Sequence, residues 1–553
     1  MTPGELRPPR MDPLALARPL PRPVGPTRRR AAEELPEAGA GAQAQAKKLV
    51  LPLLAAALAL APAAPAAAQA PPPDPARIVH ALRPAVRLAG RADTTFELAD
   101  RMGHYHVPGV SIAVVDSLRV VWAGGFGVQQ FGGTEPVDTS TLFLAGSISK
   151  PVFATGALAL VDQGKLALDR DINADLRSWH LPESRFTAER KVTLRRLLTH
   201  SAGLTVWGFP GYEAGKPVPT VPQLLDGAPP ANTRAVRNDT VPGARWLYSG
   251  GGITIAQLAA TDVTGETFPA LMRRLVLGPA GMVHSTYENP PPAEKLPFVA
   301  SGHEKPDTPV PGRFHVYPEM AAAGLWTTAS DLARWAIAVS DSYLGRPGGV
   351  LPPATAREML RPQVAVGAPY ASLLSPSWGL GVGVGGAGDS LRFTHGGRDE
   401  GFVAYFVMWP EKGRGLFVLT NGVSNGLLNE ITRAFDAEYG LVDAPRVEKR
   451  LAAAPPAAVL DRLAGAYRAI VDGDTIVFRV RRTAAGLRAG AAGAIPERAL
   501  LPQSADSFFD MENGADWTFE GAAAGSPRAL RFTQGTRTIT ADRCSASCQE
   551  ARP

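Results

Sequence analysis

The sequence predicts an α+β protein: one antiparallel sheet flanked by helices, carrying a helical subdomain and followed by a small all-β domain. Three observations predict it. Two β-branched runs stand early, VSIAVV (110–115) and RVVWAG (119–124), and three stand late, DSLRFTH (389–395), FVAYFVMW (402–409) and GLFVLTN (415–421). The stretch between, roughly 147–360, reads mainly helical. Beyond residue 459 the chain reads as short strands joined by Gly-rich turns.

Residues 1–70 read as a leader. Lys47-Lys48 precede the apolar run LVLPLLAAALALA, and small residues follow in APAAPAAAQA before PPPDP. A basic flank, a short apolar core and an A-x-A ending predict a signal peptide over about 47–70, cut after Ala68 or Ala70. The run is shorter than the ~20 residues of a spanning helix, and Pro52 interrupts it. The competing reading is an uncleaved leader that anchors the chain to a membrane. Residues 1–46 are long and Pro/Arg-rich for such a flank, which points to a translation start downstream of Met1. No Cys lies near the cut for lipid attachment, and Arg28-Arg29 is too distant for a twin-arginine signal. The mature chain is expected to be periplasmic or secreted.

Residues 71–448 read as one domain of catalytic size. The two early runs, separated by Asp116-Ser117-Leu118, form a hairpin. Amphipathic runs at 87–103 and 425–439 are expected to pack on the sheet as helices. PVFATGALALVDQGKL, TIAQLAATDVTG and SDLARWAIAVSDSYL read as helices of the subdomain, the first closed by Gly164 at C′. GGRDEG and PEKGR mark turns between the late strands. FVAYFVMW is apolar on both alternating faces, so its strand should be covered on both sides. An Ala/Pro linker spans 449–458. In 459–553, Ile476, Phe478 and Val480 alternate with Val477, Arg479 and Arg481, and WTFE, ALRFTQ and RTITA follow, which predicts a barrel or sandwich.

Charged residues make up 20% of the chain and apolar ones 45%, which excludes wholesale disorder and a coiled coil. The net charge is +6, but residues 1–48 alone hold nine basic against five acidic side chains. The rest carries little net charge, so nothing marks a nucleic-acid surface. Two cysteines exclude a disulfide scaffold and a cysteine zinc cluster. Cys544 and Cys548 could close a small terminal loop in an oxidising compartment or stand as free thiols.

Of the ten lysines, only Lys150 has a Ser three residues before it, in Ser147-Ile148-Ser149-Lys150. At the start of a helix this spacing puts amine and hydroxyl on one face. A hydroxyl is a poor nucleophile until a base takes its proton, and a desolvated lysine can do so. The helix start also offers unpaired N–H groups to a developing oxyanion. The residues alone read equally as a helix cap with an exposed lysine.

Six segments shift that balance: TLFLAGSISK (141–150), LLTHSAGL (197–204), PGARWLYSGGG (242–252), LGPAGMVHST (277–286), AAAGLWTTASDLARW (321–335) and FTHGGRDEGF (393–402). In these segments, which keep the family's order, the sequence resembles the serine β-lactamase and penicillin-binding-protein superfamily. The closest branch holds class C β-lactamases, related esterases and D-amino-acid peptidases. The resemblance implies a β-lactamase/transpeptidase-like fold, with Ser147 as acyl-forming nucleophile, Lys150 as its base partner and Tyr248 as proton relay. Where the family has Asn two residues after the tyrosine, this chain has Gly250. Where β-lactamases have Lys-Thr-Gly, it has His395-Gly396-Gly397, read as the end of a strand. The oxyanion hole would use the backbone N–H groups of Ser147 and Arg398. The C-terminal domain resembles the lipocalin-like domains appended to some members.

His200, in LLTHSAGL, reads as a structural turn below the site. His104 and His106 lack a further carboxylate–His cluster that would complete a metal site. Asp331 reads as a helix-start residue. The run GLGVGVGGAG (379–388) lacks the following helix of a nucleotide loop. No cofactor and no metal are expected. The leading function is a secreted serine hydrolase that works through an acyl-enzyme on a small ester, amide or peptide. The alternatives are a β-lactamase or D,D-carboxypeptidase, and a weakly catalytic penicillin-binding-like protein of the cell envelope. The oligomeric state is not specified by the sequence.

Overall fold

A computed structural model describes residues 72–367, 375–471, 474–491, 495–522, 525–535 and 537–544. The leader and Cys548 lie outside the described residues. The chain divides into two compact units. One is Pro73–Ala469 with Thr475–Pro553, and it holds every residue of the site. The other is Met1–Pro72 with Ile470–Asp474, of which Pro72 and the strand residues Ile470, Val471 and Asp474 are described.

The main sheet has eight antiparallel strands: β1 (Gly109–Asp116), β2 (Arg119–Gly127), β3 (Val364–Ala365), β4 (Ser377–Trp378), β5 (Gly383–Gly385), β6 (Arg392–Asp399), β7 (Phe402–Trp409) and β8 (Arg414–Thr420). Their order is β2-β1-β8-β7-β6-β5-β4-β3, so the early hairpin joins the late strands through β8. The β1–β2 turn places Ser117 at φ 52° and Leu118 at φ 56°. Left-handed residues in a two-residue loop suit the twist of a hairpin.

Strand β7 explains the three layers. Phe402, Ala404, Phe406 and Met408 enter the core on one face, while Val403, Val407 and Trp409 enter the core on the other. On the first face lie helices α2 (Ser149–Asp162), α3 (Gly250–Thr264) and α4 (Ala329–Leu344), contributing Phe153, Ile255 and Trp335. On the second lie α1 (Leu98–Tyr105) and α5 (Asn425–Tyr439), contributing Met102, Ile431 and Phe435. Arg101 of α1 and Glu430 of α5 form a buried bidentate ion pair at 2.7 Å. Helix α5 starts on Ser424, whose Oγ accepts from Leu427 N–H, and ends at Gly440 with φ 64°.

One expected helix is corrected. The run 87–103 is helical only from Leu98; Val86–Leu88 is a strand that pairs in parallel with Val447–Lys449. Gly90, at φ 71°, breaks the run between them. Backbone pairing to a distant segment overrides the local amphipathic pattern there.

Beyond residue 463 eight strands, from Gly465–Val471 to Arg537–Arg543, form a closed barrel. Phe478 and Val480 point inward and Arg479 and Arg481 outward, with Trp517, Phe519 and Phe532 filling the interior. Closure leaves no open edge on the domain. Among the described residues no helix is long and apolar enough to cross a membrane.

Candidate active site

Two glycines bring the nucleophile turn against the sheet. Gly146 opens a 3-10 turn (Gly146–Ile148) that runs into α2, and it holds φ 53°. A Cβ there would lie 2.5 Å from the Arg398 nitrogen, and one at Gly397 would lie 1.9 Å from the Ala145 carbonyl oxygen. Only glycine permits both close approaches. Ser147 is thereby held beside Arg398, in a 3-10 turn and two residues before the first residue of the α-helix proper.

Lys150 lies on the same face and is buried. Its Nζ donates to Ser147 Oγ at 2.8 Å and to the Ala322 carbonyl at 2.7 Å. Burial pulls the amine down to about 7 from its ordinary value near 10.5, although Asp399 and Glu319 oppose the shift. Tyr248, also buried, lies over the amine, with Nζ 5.1 Å from its ring centre. Burial holds its phenol protonated well above the usual range, while a hydrogen bond with Ser147 acts the other way.

His200 sits beneath Tyr248, with ring centres 4.1 Å apart. Its Nδ1 accepts from Ser249 N–H at 3.2 Å, and burial keeps the ring neutral. Ser249 in turn caps α3 by accepting from Gly252 N–H. Tyr248 is thus fixed from below by a ring and from behind by a helix start.

The placement of the third motif is corrected. Strand β6 continues to Asp399, so His395-Gly396-Gly397 lies inside a strand, not at its end. The short β5 pairs only with Arg392–Thr394, so among the described residues no strand pairs with the β5-facing edge of β6 from His395 onward. His395 is buried and held neutral, its pKa drawn down to about 3 by desolvation and by Lys150. Its Nδ1 meets the Gly396 carbonyl at 2.6 Å and must donate there. Nε2 therefore offers the cavity a lone pair and no proton.

These groups share one cavity of about 570 Å³, lined among others by Ser147, Lys150, Tyr248, His395 and Arg398, with Trp207, Phe209 and Trp378 as aromatic walls. Gly250 is the first residue of α3, and a Cβ there would lie 3.0 Å from the Phe209 ring. A side chain at this position fits only if the Phe209 ring and the Trp207 carbonyl move aside. The Arg398 guanidinium is half-exposed and ion-paired with Glu304, whose other oxygen accepts from Gly401 N–H.

Asp331 stands in the first turn of α4, as expected of a helix-start residue, with Thr328 as the cap; its carboxylate also accepts from the His284 and Ser285 N–H groups, pinning that turn. His104 and His106 face Glu512 and Asp307 respectively. Among the described residues no group of three His, Cys, Asp or Glu side chains could hold a metal ion.

Sequence reasoning missed Glu319, Asp399 and the aromatic walls. Asp399 carried a signal, an acid two residues past the glycine pair. Trp207 and Phe209 come from a loop whose position only tertiary contacts fix.

The fold and this site define a serine hydrolase. The chain belongs to the Beta-lactamase family, whose model matches residues 97–441. It is 27% identical to penicillin-binding protein 4 of Amycolatopsis lactamdurans over 64% of this chain and 90% of that protein. It is 27% identical to esterase EstB of Burkholderia gladioli over 64% of this chain and 96% of that protein. It is 31% identical to a β-lactamase of Lysobacter lactamgenus, over 46% of this chain and 60% of that protein. An octameric penicillin-binding protein homologue from Pyrococcus abyssi superposes with TM-score 0.55 at 21% identity, covering 80% of this chain and 98% of that one, and shares the fold.

Proposed function

We propose that the protein is an exported esterase-type hydrolase acting through an acyl-enzyme on Ser147, with small esters preferred and amides of D-amino acids or short peptides as further substrates. The observation that carries the reading is the 2.8 Å contact from buried Lys150 to Ser147 inside an aromatic cavity. As Ser147 Oγ bonds to the substrate carbonyl carbon, its proton passes to the Lys150 amine. The oxyanion rests on the Ser147 and Arg398 N–H groups. The Lys150 proton then returns through the neutral Tyr248 phenol to the leaving oxygen as its bond to carbon breaks. Water repeats the sequence in reverse and frees Ser147.

A β-lactam is held by its side-chain amide and its carboxylate. Gly250 with Phe209 removes the first anchor, and neutral His395 with two glycines removes the second. Arg398, half-exposed and paired with Glu304 through one guanidinium nitrogen, is the group that could replace the second. Losing one hydrogen bond to a charged group, about 1.5–3 kcal/mol, and one neutral bond, about 0.5–1.5 kcal/mol, lowers kcat/KM by roughly thirty- to two-thousand-fold. We therefore expect p-nitrophenyl butyrate to be turned over far more efficiently than nitrocefin. Efficient nitrocefin hydrolysis that collapses in Arg398→Ala would show a moved anchor and reverse this assignment.

Export rests on the leader. The protein isolated from its native host should begin near Gln69 or Pro71. An intact leader on a soluble cytoplasmic protein, read by N-terminal sequencing, would defeat that part.

A further inference from the structure

Two buried carboxyl groups beside Lys150 take no part in the acylation scheme. Glu319 is fully buried, and neither of its carboxyl oxygens has a hydrogen-bond partner beyond its own backbone N–H. It caps the short helix Met320–Ala323, whose Ala322 carbonyl accepts from Lys150. Asp399 ends β6 and receives the Gly146 N–H, but its Oδ2 is buried without a partner. Neither acid makes ion-pair contact with Lys150, yet Lys150 is the cation whose charge acts on both. Buried unpaired carboxylates are costly, as is a buried ammonium without counter-charge.

Glu319 does not line the cavity, and both its oxygens are closed to solvent. Asp399 lines the cavity, but its unpartnered Oδ2 is closed to solvent and is not presented to a substrate ammonium. The remaining partner for their charge is the amine inside the same pocket.

We infer that Glu319 and Asp399 are positioning residues that share one negative charge and present it to Lys150, fixing the pH at which its amine becomes free to take the Ser147 proton. This rests on Lys150 being the base. Asp399 and Glu319 are the charges that act on the amine. His200 and His395 are neutral rings, Tyr248 is a phenol held protonated by burial, and the Arg398 guanidinium in the same cavity is paired with Glu304. Burial raises both acids, and together with the charge of Asp399 it brings Glu319 to about 8, with Lys150 opposing the rise. Two carboxyls that repel each other in one site ionise one at a time.

The test is the acid limb of kcat/KM against pH for an activated ester. Glu319→Gln or Asp399→Asn alone should move its midpoint little, because the remaining acid takes over the charge. Both together should lower it by on the order of one pH unit or more, beyond the sum of the single shifts. Glu319→Asp should keep the wild-type limb. A folded double variant with an unmoved midpoint, or a single variant that shifts as far as the double, overturns the inference. If the double variant does not fold, infrared spectra of the full-length protein decide. A protonated-carboxyl band at neutral pH should be present in the wild type and lost in each single variant; its absence from the wild type overturns the inference. Fluorophosphonate labelling of the wild type tests the acyl-enzyme reading separately, and the infrared measurement needs no turnover.

Discussion

Ser147→Ala is expected to abolish covalent labelling by a fluorophosphonate and to lower kcat/KM for p-nitrophenyl butyrate by about ten-thousand-fold or more. The substitution removes one oxygen whose side-chain partners are Lys150 and Tyr248. Alanine fits the 3-10 turn, and the glycines that dock it are unchanged. The loss therefore reports chemistry, and an unchanged melting temperature should accompany it. The neighbouring Ser149 cannot substitute. Its hydroxyl is buried, donates to the Gly146 carbonyl at 2.6 Å and accepts from Leu325 N–H at 3.0 Å. A variant that kept more than about a hundredth of the wild-type rate would point to another nucleophile and end the acyl-enzyme reading.

The sheet was legible because its strands carry their own signal. A run such as 402–409, apolar on both faces, has no stable place except a strand covered on both sides, and the two core clusters meet it there. Helix 425–439 was legible because Ser424 and Gly440 punctuate it. The run 87–103 misled because part of its apolar pattern serves pairing with Val447–Lys449, a contact no local window contains.

The candidate site divides in the same way. Ser147 and Lys150 stand three residues apart, so local geometry joins them. Tyr248 and His395 could be attached only through the resemblance, since stretches of about a hundred residues or more separate them from Lys150 and from one another. His395 shows what a residue name leaves out. Its identity permits donor, acceptor or cation, and only the Gly396 carbonyl and its burial select a neutral ring with Nε2 as acceptor. Glu319 had no sequence signal at all. An acid before an alanine run reads as a solvated helix start, and its burial follows from how that turn meets α2.

Lys150→Met should cost roughly a hundred- to ten-thousand-fold in kcat/KM, the usual worth of a positioned base. Methionine fills a similar volume without an amine. It leaves Ser147 unassisted and the Ala322 carbonyl without its donor. The pH dependence carries the sharper content. Burial lowers the Lys150 pKa to about 7. Below that value the amine is protonated and cannot accept the Ser147 proton; above it the amine is free. Activity of the wild type should therefore rise as pH increases through about 7, and Lys150→Met should lose that limb along with most of its rate. Lys150→Arg separates a base from a mere positive charge. A guanidinium keeps the charge and hydrogen-bond donors but does not deprotonate in this range. If Lys150 served only to stabilise the oxyanion or orient Ser147, arginine would retain much of the activity, at every pH. If it is the base, Lys150→Arg should be as slow as Lys150→Met, and raising the pH should recover neither.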